Sequence, residues 1–232
     1  MKALIPIFLF LPLFSYAQLS TGLGYIDLED YRVNNEVNPL PLGISVIPAI
    51  SYRSGNLNIR GPNITYNFLQ GPIGFSYHLE IVGERYESQE VELRNSAGNT
   101  GFSLRLLYLT LKHTSDFTGV YRGNITNAFL AHRFQLFDRL MFIPRIGYRY
   151  TNKSYNNYYF GVRANEVGTY SFYELENARS ENAGATLIFI GSDYSLSLGY
   201  SHTNQDQDIY DSPTVALKSY KVWSLFYSFN MK

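Results

Sequence analysis

Apolar and polar residues alternate with a period of two along most of the chain, the mark of β-strands with one apolar face. The pattern is clearest at residues 73–81. There Ile73, Phe75, Tyr77, Leu79 and Ile81 face one way and Gly74, Ser76, His78 and Glu80 the other. Residues 194–201 repeat it, and residues 142–151 set Phe142, Ile146, Tyr148 and Tyr150 against Arg145, Gly147, Arg149 and Thr151. No run of 18 apolar residues follows the first segment, which excludes membrane-crossing helices. The alternation predicts ten strands, at 19–28, 43–53, 57–69, 72–83, 100–114, 123–136, 139–152, 182–191, 193–203 and 218–229. Long polar connections cover 29–42, 84–99, 153–181 and 204–217. Two phase slips, at Gly61-Pro62 and Leu106-Leu107, read as β-bulges, because one extra residue flips the facing. Connection 84–99 is long on the side where short turns belong. A hairpin arm at 88–95 (Val91, Leu93), together with a merged strand, keeps a count of twelve open.

Alternation alone does not separate a soluble sandwich from a transmembrane barrel, which turns its apolar face to lipid and its polar face to the lumen. Composition favours the barrel. The 232 residues include 21 Tyr, 16 Phe and 1 Trp, and aromatic residues gather in girdles at membrane interfaces. Many of the runs reach 10–14 residues, well beyond the soluble mode of about 5–6. The last strand sets Trp223, Leu225, Tyr227 and Phe229 against Ser224, Phe226 and Ser228 close to the C-terminus. The expected fold class is therefore all-β: a transmembrane antiparallel up-and-down β-barrel of about 10 strands.

Charge and cysteine usage narrow the function classes. The 19 basic and 19 acidic residues balance, so no basic field exists for nucleic acid. With no cysteine there is no disulfide framework, thiolate nucleophile or Cys-ligated metal. Residues 1–17 read as a signal peptide: Lys2, an apolar run from Ala3 to Phe14, and Ser15-Tyr16-Ala17 as the cleavage site. The barrel domain is then 18–232, exported to the outer membrane of a Gram-negative-type bacterium, with outer-membrane lipid as its first partner.

Several segments in order resemble the MipA/OmpV family of outer-membrane proteins. They are Pro39-Leu40-Pro41 before a strand ending Tyr52-Arg53, then Leu57-Asn58-Ile59-Arg60-Gly61, then Tyr158-Tyr159-Phe160-Gly161-Val162, and last Asp211-Ser212-Pro213. The resemblance implies a barrel of about 10–12 strands without catalysis. It also implies a scaffold that joins a murein lytic transglycosylase to a penicillin-binding protein. Other members are linked with adhesion or permeability. Tyr158 to Val162 and Asp211 to Pro213 are the candidate interaction or plug segments.

Two further readings come from the residues themselves. His78, Glu80, Arg105, Arg145 and Arg149 face the polar side and are candidate lumen-lining residues. They suit either a narrow channel or a closed lumen knitted by arginine–carboxylate pairs. The second reading is a barrel hydrolase built on His78 with Ser76 and Glu80. It is disfavoured, because residues two apart on a strand lie about 6.5–7 Å apart along the axis. The other histidines, His113, His132 and His202, read as rim or interface residues. No metal-ligand spacing and no phosphate-binding glycine loop occurs, so no catalytic residue, metal site or cofactor is expected. The loop 155–173, rich in Tyr and Phe, is either a protein-binding surface or a plug in the barrel mouth.

Overall fold

The computed structural model describes residues 18–231 apart from 41, 42 and 169. The expected signal segment, 1–17, and Pro41 of the proline motif lie outside the described residues. Fourteen strands form: β1 Gln18–Leu28, β2 Val46–Pro48, β3 Ser51–Ser54, β4 Leu57–Arg60, β5 Asn63–Leu69, β6 Ile73–Val82 and β7 Ala97–Leu106, followed by β8 Leu109–Asp116, β9 Asn124–Ala131, β10 Phe134–Phe137, β11 Leu140–Thr151, β12 Ala178–Ile190, β13 Tyr194–Asn204 and β14 Ser219–Met231. Two short helices, α1 Lys153–Tyr159 and α2 Gln207–Tyr210, sit in the loops. β2 and β3 are one course along β1, joined by the Ala49 N–H donating to the Gly22 carbonyl. β9 and β10 likewise share β11 as partner. The twelve courses pair antiparallel with their neighbours, and β14 closes on β1 over Leu19↔Met231 to Leu28↔Val222. A closed twelve-strand barrel results, with no free edge.

Twelve is the second of the two counts left open by the alternation. The extra strands come from the two phase slips, which are hairpin turns and not bulges. Arg60 pairs with Asn63 across Gly61-Pro62, and Leu106 pairs with Leu109 across Leu107-Tyr108. The physical reason is parity. Partners across a two-residue turn stand three positions apart yet face the same side, so a turn shifts the alternation just as a bulge does. Gly61 (φ 53°) and Leu107 (φ 55°) have a positive φ at the first turn position, as in type II′ hairpins. The split also moves 83–96 to the side of the other long connections. Loops 29–45, 83–96, 117–123, 152–177 and 205–218 now share one end. The other end carries short turns and both chain ends, which in outer-membrane barrels is the periplasmic end. The 88–95 arm is a loop feature, with Tyr86 bridged to Arg94.

Outward positions hold an apolar belt: Leu23, Phe75, Phe102, Ile146, Leu198 and Leu225 are all exposed. A soluble monomer rarely shows so continuous a patch. Inward positions are small or polar, which is the arrangement of a transmembrane barrel. Close strand approach needs glycine at Gly101, where a Cβ would collide with the carbonyl of His113 on β8. The apolar core lies at the loop end of the barrel, not in its middle.

Candidate functional site

The loop end is filled. Helix α1 starts where the Asn152 side chain accepts from the Tyr155 N–H at 3.1 Å and from the Asn124 N–H at 3.1 Å. This cap turns the chain back into the mouth. Tyr155 and Tyr159, four apart, share one helix face. They pack with Phe160 against Tyr31, Tyr121, Ile125, Leu175 and Tyr220. Tyr121 meets Tyr155 edge-on at 5.0 Å, and Tyr31 stacks on Tyr220 at 4.3 Å. Asn157 acts as a surrogate strand: its side chain donates to the Leu175 carbonyl and accepts from the Leu175 N–H, both at 2.8 Å. Gly83 (φ 85°) lies where any Cβ would strike the Tyr159 ring.

The two motif segments meet in this plug. The Ser212 hydroxyl donates to the Phe160 carbonyl at 2.5 Å and accepts from the Thr214 N–H at 3.3 Å. Arg32 donates to the Tyr159 carbonyl at 2.7 Å and to Thr214 Oγ1 at 3.1 Å, with its guanidinium carbon 3.9 Å from the centre of the Tyr86 ring. Val162 bridges to Tyr173, and Gly161 donates to the Asn157 carbonyl. Tyr158 is half-buried, and its hydroxyl oxygen accepts from the Asn95 N–H at 2.9 Å. Asp211 is exposed and accepts from Gln207, and Pro213 is half-buried between Ser212 and Thr214. Loop 155–173 therefore folds into the barrel mouth.

Charges buried here are compensated. Arg94 and Glu166 form a 2.6 Å ion pair with both side chains 1% exposed. Glu166 also accepts from the N–H groups of Arg163 at 2.9 Å and Glu92 at 3.2 Å. Burial pushes its carboxyl up, but the Arg94 bond, the Arg163 N–H and both guanidinium charges outweigh this and hold it below the ordinary value. Glu84 accepts from the Tyr31 hydroxyl. There burial prevails over that bond and the charges of Arg32 and Arg149, so its carboxyl is raised. Tyr31, Arg32, Arg94 and Glu166 are absent from the sequence-based candidates. They stand in polar loops with no periodicity, where charge reads as solvated surface.

Below the plug, the strands place His78, Glu80, Arg105, Arg145 and Arg149 on the inward face. Glu80 pairs with Lys112 at 2.6 Å, and Arg105 donates to the Gly71 carbonyl at 2.8 Å near the turn end. Arg149 donates to the Tyr155 hydroxyl at 3.0 Å, tying β11 to the plug. Arg145 sits over Phe129, its guanidinium carbon 3.9 Å from the ring centre. Among the described residues the only luminal ion pair is Glu80–Lys112. The arginine–carboxylate knitting expected of the lumen is found in the loops instead. A cavity of about 550 Å³ lies along β9 and β11–β14, lined by Asn127, Arg145, Arg149, Ser180, Asn182 and Ser201 among others.

His78 does not join Ser76 or Glu80. Ser76 donates to Asn67 at 2.8 Å. The imidazole lies between strands instead, with Nε2 2.7 Å from Ser103 Oγ on β7 and Nδ1 3.2 Å from Thr65 Oγ1 on β5. A nucleophile–base contact therefore exists, but the orienting position holds a neutral hydroxyl where a triad needs a carboxylate. Cross-strand neighbours depend on register, which the sequence of one strand does not contain. His113 bonds Thr126 at 2.8 Å, and His132 lies between Tyr108 and Phe134. No group of three or more potential metal-ligating His, Asp or Glu side chains occurs among the described residues.

Residues 21–231 match the family model described as "MltA-interacting protein MipA". No curated protein matches. Among solved structures, the NanC porin is 10% identical at a TM-score of 0.41, covering 93% of this chain and 99% of that one. The outer-membrane protein OprD from Pseudomonas aeruginosa is 11% identical at a TM-score of 0.36, covering 89% of this chain. The chain spans 65% of the length of OprD. OccK8 (OprE) from Pseudomonas aeruginosa is 12% identical at a TM-score of 0.29, covering 86% and 73%.

Proposed function

Because the chain belongs to the MltA-interacting protein MipA family and is an outer-membrane barrel, we propose that it is a non-enzymatic scaffold. Its partners would be enzymes that cleave and build murein, a lytic transglycosylase and a penicillin-binding protein, with outer-membrane lipid around the apolar belt. One observation carries the reading: the outer mouth is closed by a buried plug in which Phe160 and Ser212, from two separate motif segments, bond to each other. A barrel that spends its characteristic residues on closing its own mouth is suited to holding partners, not to passing solutes. Murein lies on the periplasmic side, so the contact surface would be the turn end. The test is cross-linking of tagged protein in intact cells, purification in mild detergent and mass spectrometry. Murein enzymes enriched above an unrelated barrel support the proposal. Recovery of assembly machinery and lipid alone overturns it.

A second reading, a narrow channel, is favoured by the luminal arginines that lack carboxylate partners. It requires the plug to move. Step conductance of the wild-type protein in planar bilayers would favour it over the scaffold.

A further inference from the structure

The inward face carries Arg53, Arg60, Arg105, Lys112, Arg145 and Arg149 against Glu80, which Lys112 already holds, Asp116, which accepts from loop N–H groups, and Glu84 at the loop end, whose charge acts on Arg149. Arg53, Arg60, Arg105 and Arg145 are exposed, so their combined field favours an anion inside the barrel. The excess has a focus. Arg145 has neither an ion-pair partner nor a hydrogen-bond partner among the described residues, and its only close contact of note is the Phe129 ring. Four positions further along β11, Arg149 gives one N–H to Tyr155, while its buried Nε has no partner. Both line the cavity below the plug. The strands beside them supply hydroxyl and amide groups, Asn127, Ser180, Asn182 and Ser201, among apolar residues such as Ala185 and Val222. Its volume of about 550 Å³ falls within the roughly 300–1,000 Å³ range of small-molecule sites.

We propose that this part of the lumen binds a small hydroxylated molecule bearing a carboxylate or phosphate, admitted from the turn end. Guanidinium groups match both oxyanions in geometry, and hydroxyl and amide groups set among aromatic and aliphatic side chains match the polar edges and apolar faces of a sugar-like body. The plug sets the direction of access, because it shuts the loop end while the short turns leave the other end uncovered. This inference stands apart from the scaffold reading and does not need a protein partner.

The test is isothermal titration of the full barrel in detergent micelles with glucuronate, inorganic phosphate and glucose. Saturable binding of glucuronate, phosphate or both is expected, with glucose weaker by about tenfold or more, since charge-assisted hydrogen bonds are worth more than neutral ones. Arg145→Gln should weaken the anion by about tenfold or more, while Arg53→Gln, outside the cavity, should leave it within about twofold. Folding of each variant is checked by heat-modifiable gel mobility. For the wild type alone, raising chloride from about 0.05 M to about 0.5 M should weaken anion binding severalfold through screening and competition. Three results would each overturn the proposal: no saturable binding of either anion, equal binding of glucose and glucuronate, or salt-independent binding. The source of the charge is read from the preference: glucuronate over phosphate indicates a carboxylate ligand, the reverse a phosphate.

Discussion

Glu166→Gln is the sharpest test of what holds the plug. The substitution keeps the shape of the side chain and removes its charge, leaving the Arg94 guanidinium buried beside a neutral amide. Breaking a buried pair from one side costs about 3–5 kcal/mol. At about 1.4 kcal/mol per factor of ten, plug opening should rise roughly a hundred- to a few-thousandfold. Hydrogen exchange read by mass spectrometry is the assay. Amides of 153–166 should lose protection by that factor, while amides of β12 and β13, which are held by their own ladders, stay unchanged. The pH dependence follows from the depressed carboxyl. The wild-type contribution is complete above the unfolded value near 4.5 and is lost as pH falls through the lower folded value. The variant should lack that acid-dependent loss. Glu84, raised and therefore opposite in sign, is present in both proteins and cancels in the difference. The double change Arg94→Met with Glu166→Leu should recover much of the protection, since apolar replacement of both partners is often neutral. A change below about threefold in E166Q would refute the view that this pair anchors the plug.

Three further outcomes are expected. Ser212→Ala removes the hydroxyl that satisfies the Phe160 carbonyl and should cost about 1 kcal/mol of plug stability, read in the same exchange experiment. Leu107→Asn should raise the unfolding free energy of the barrel, read by urea denaturation, by up to about 1 kcal/mol, because a positive φ disfavours leucine more than asparagine; a fall would argue against the turn. The chain has no native cysteine, so Ser195→Cys, on the inward face near the turn end, gives a clean accessibility probe. An impermeant thiol reagent should label it in opened envelopes and leave it unlabelled in intact cells. Labelling in intact cells would mean that the mouth is open.

The strands were legible because each carries its own alternation, and the closing strand with Trp223, Leu225, Tyr227 and Phe229 stands out most clearly. The two turns at Gly61-Pro62 and Leu107-Tyr108 were not, since a two-residue turn and a single-residue bulge leave the same trace in a period-two pattern. The plug was legible only as an aromatic loop with two open readings. Its closure depends on Arg32, Ser212 and Thr214 meeting Tyr159 and Phe160, and residues more than fifty positions apart leave no mark on each other in a linear pattern. His78 is similar: its neighbours Ser103 and Thr65 belong to adjacent strands, and one strand does not state the register of the next.

The sequence by itself determined the class of structure. Alternation, aromatic content and charge placement act residue by residue, and together they admit little besides a barrel with an apolar exterior. Tertiary structure alone decided which end is closed, which arginines find carboxylates and which do not. Those outcomes depend on register and on loop docking. In the loops the chain folds back on itself and pairs Arg94 with Glu166, whereas in the lumen the strand ladders hold Arg145 in place with no charge partner for it among the described residues.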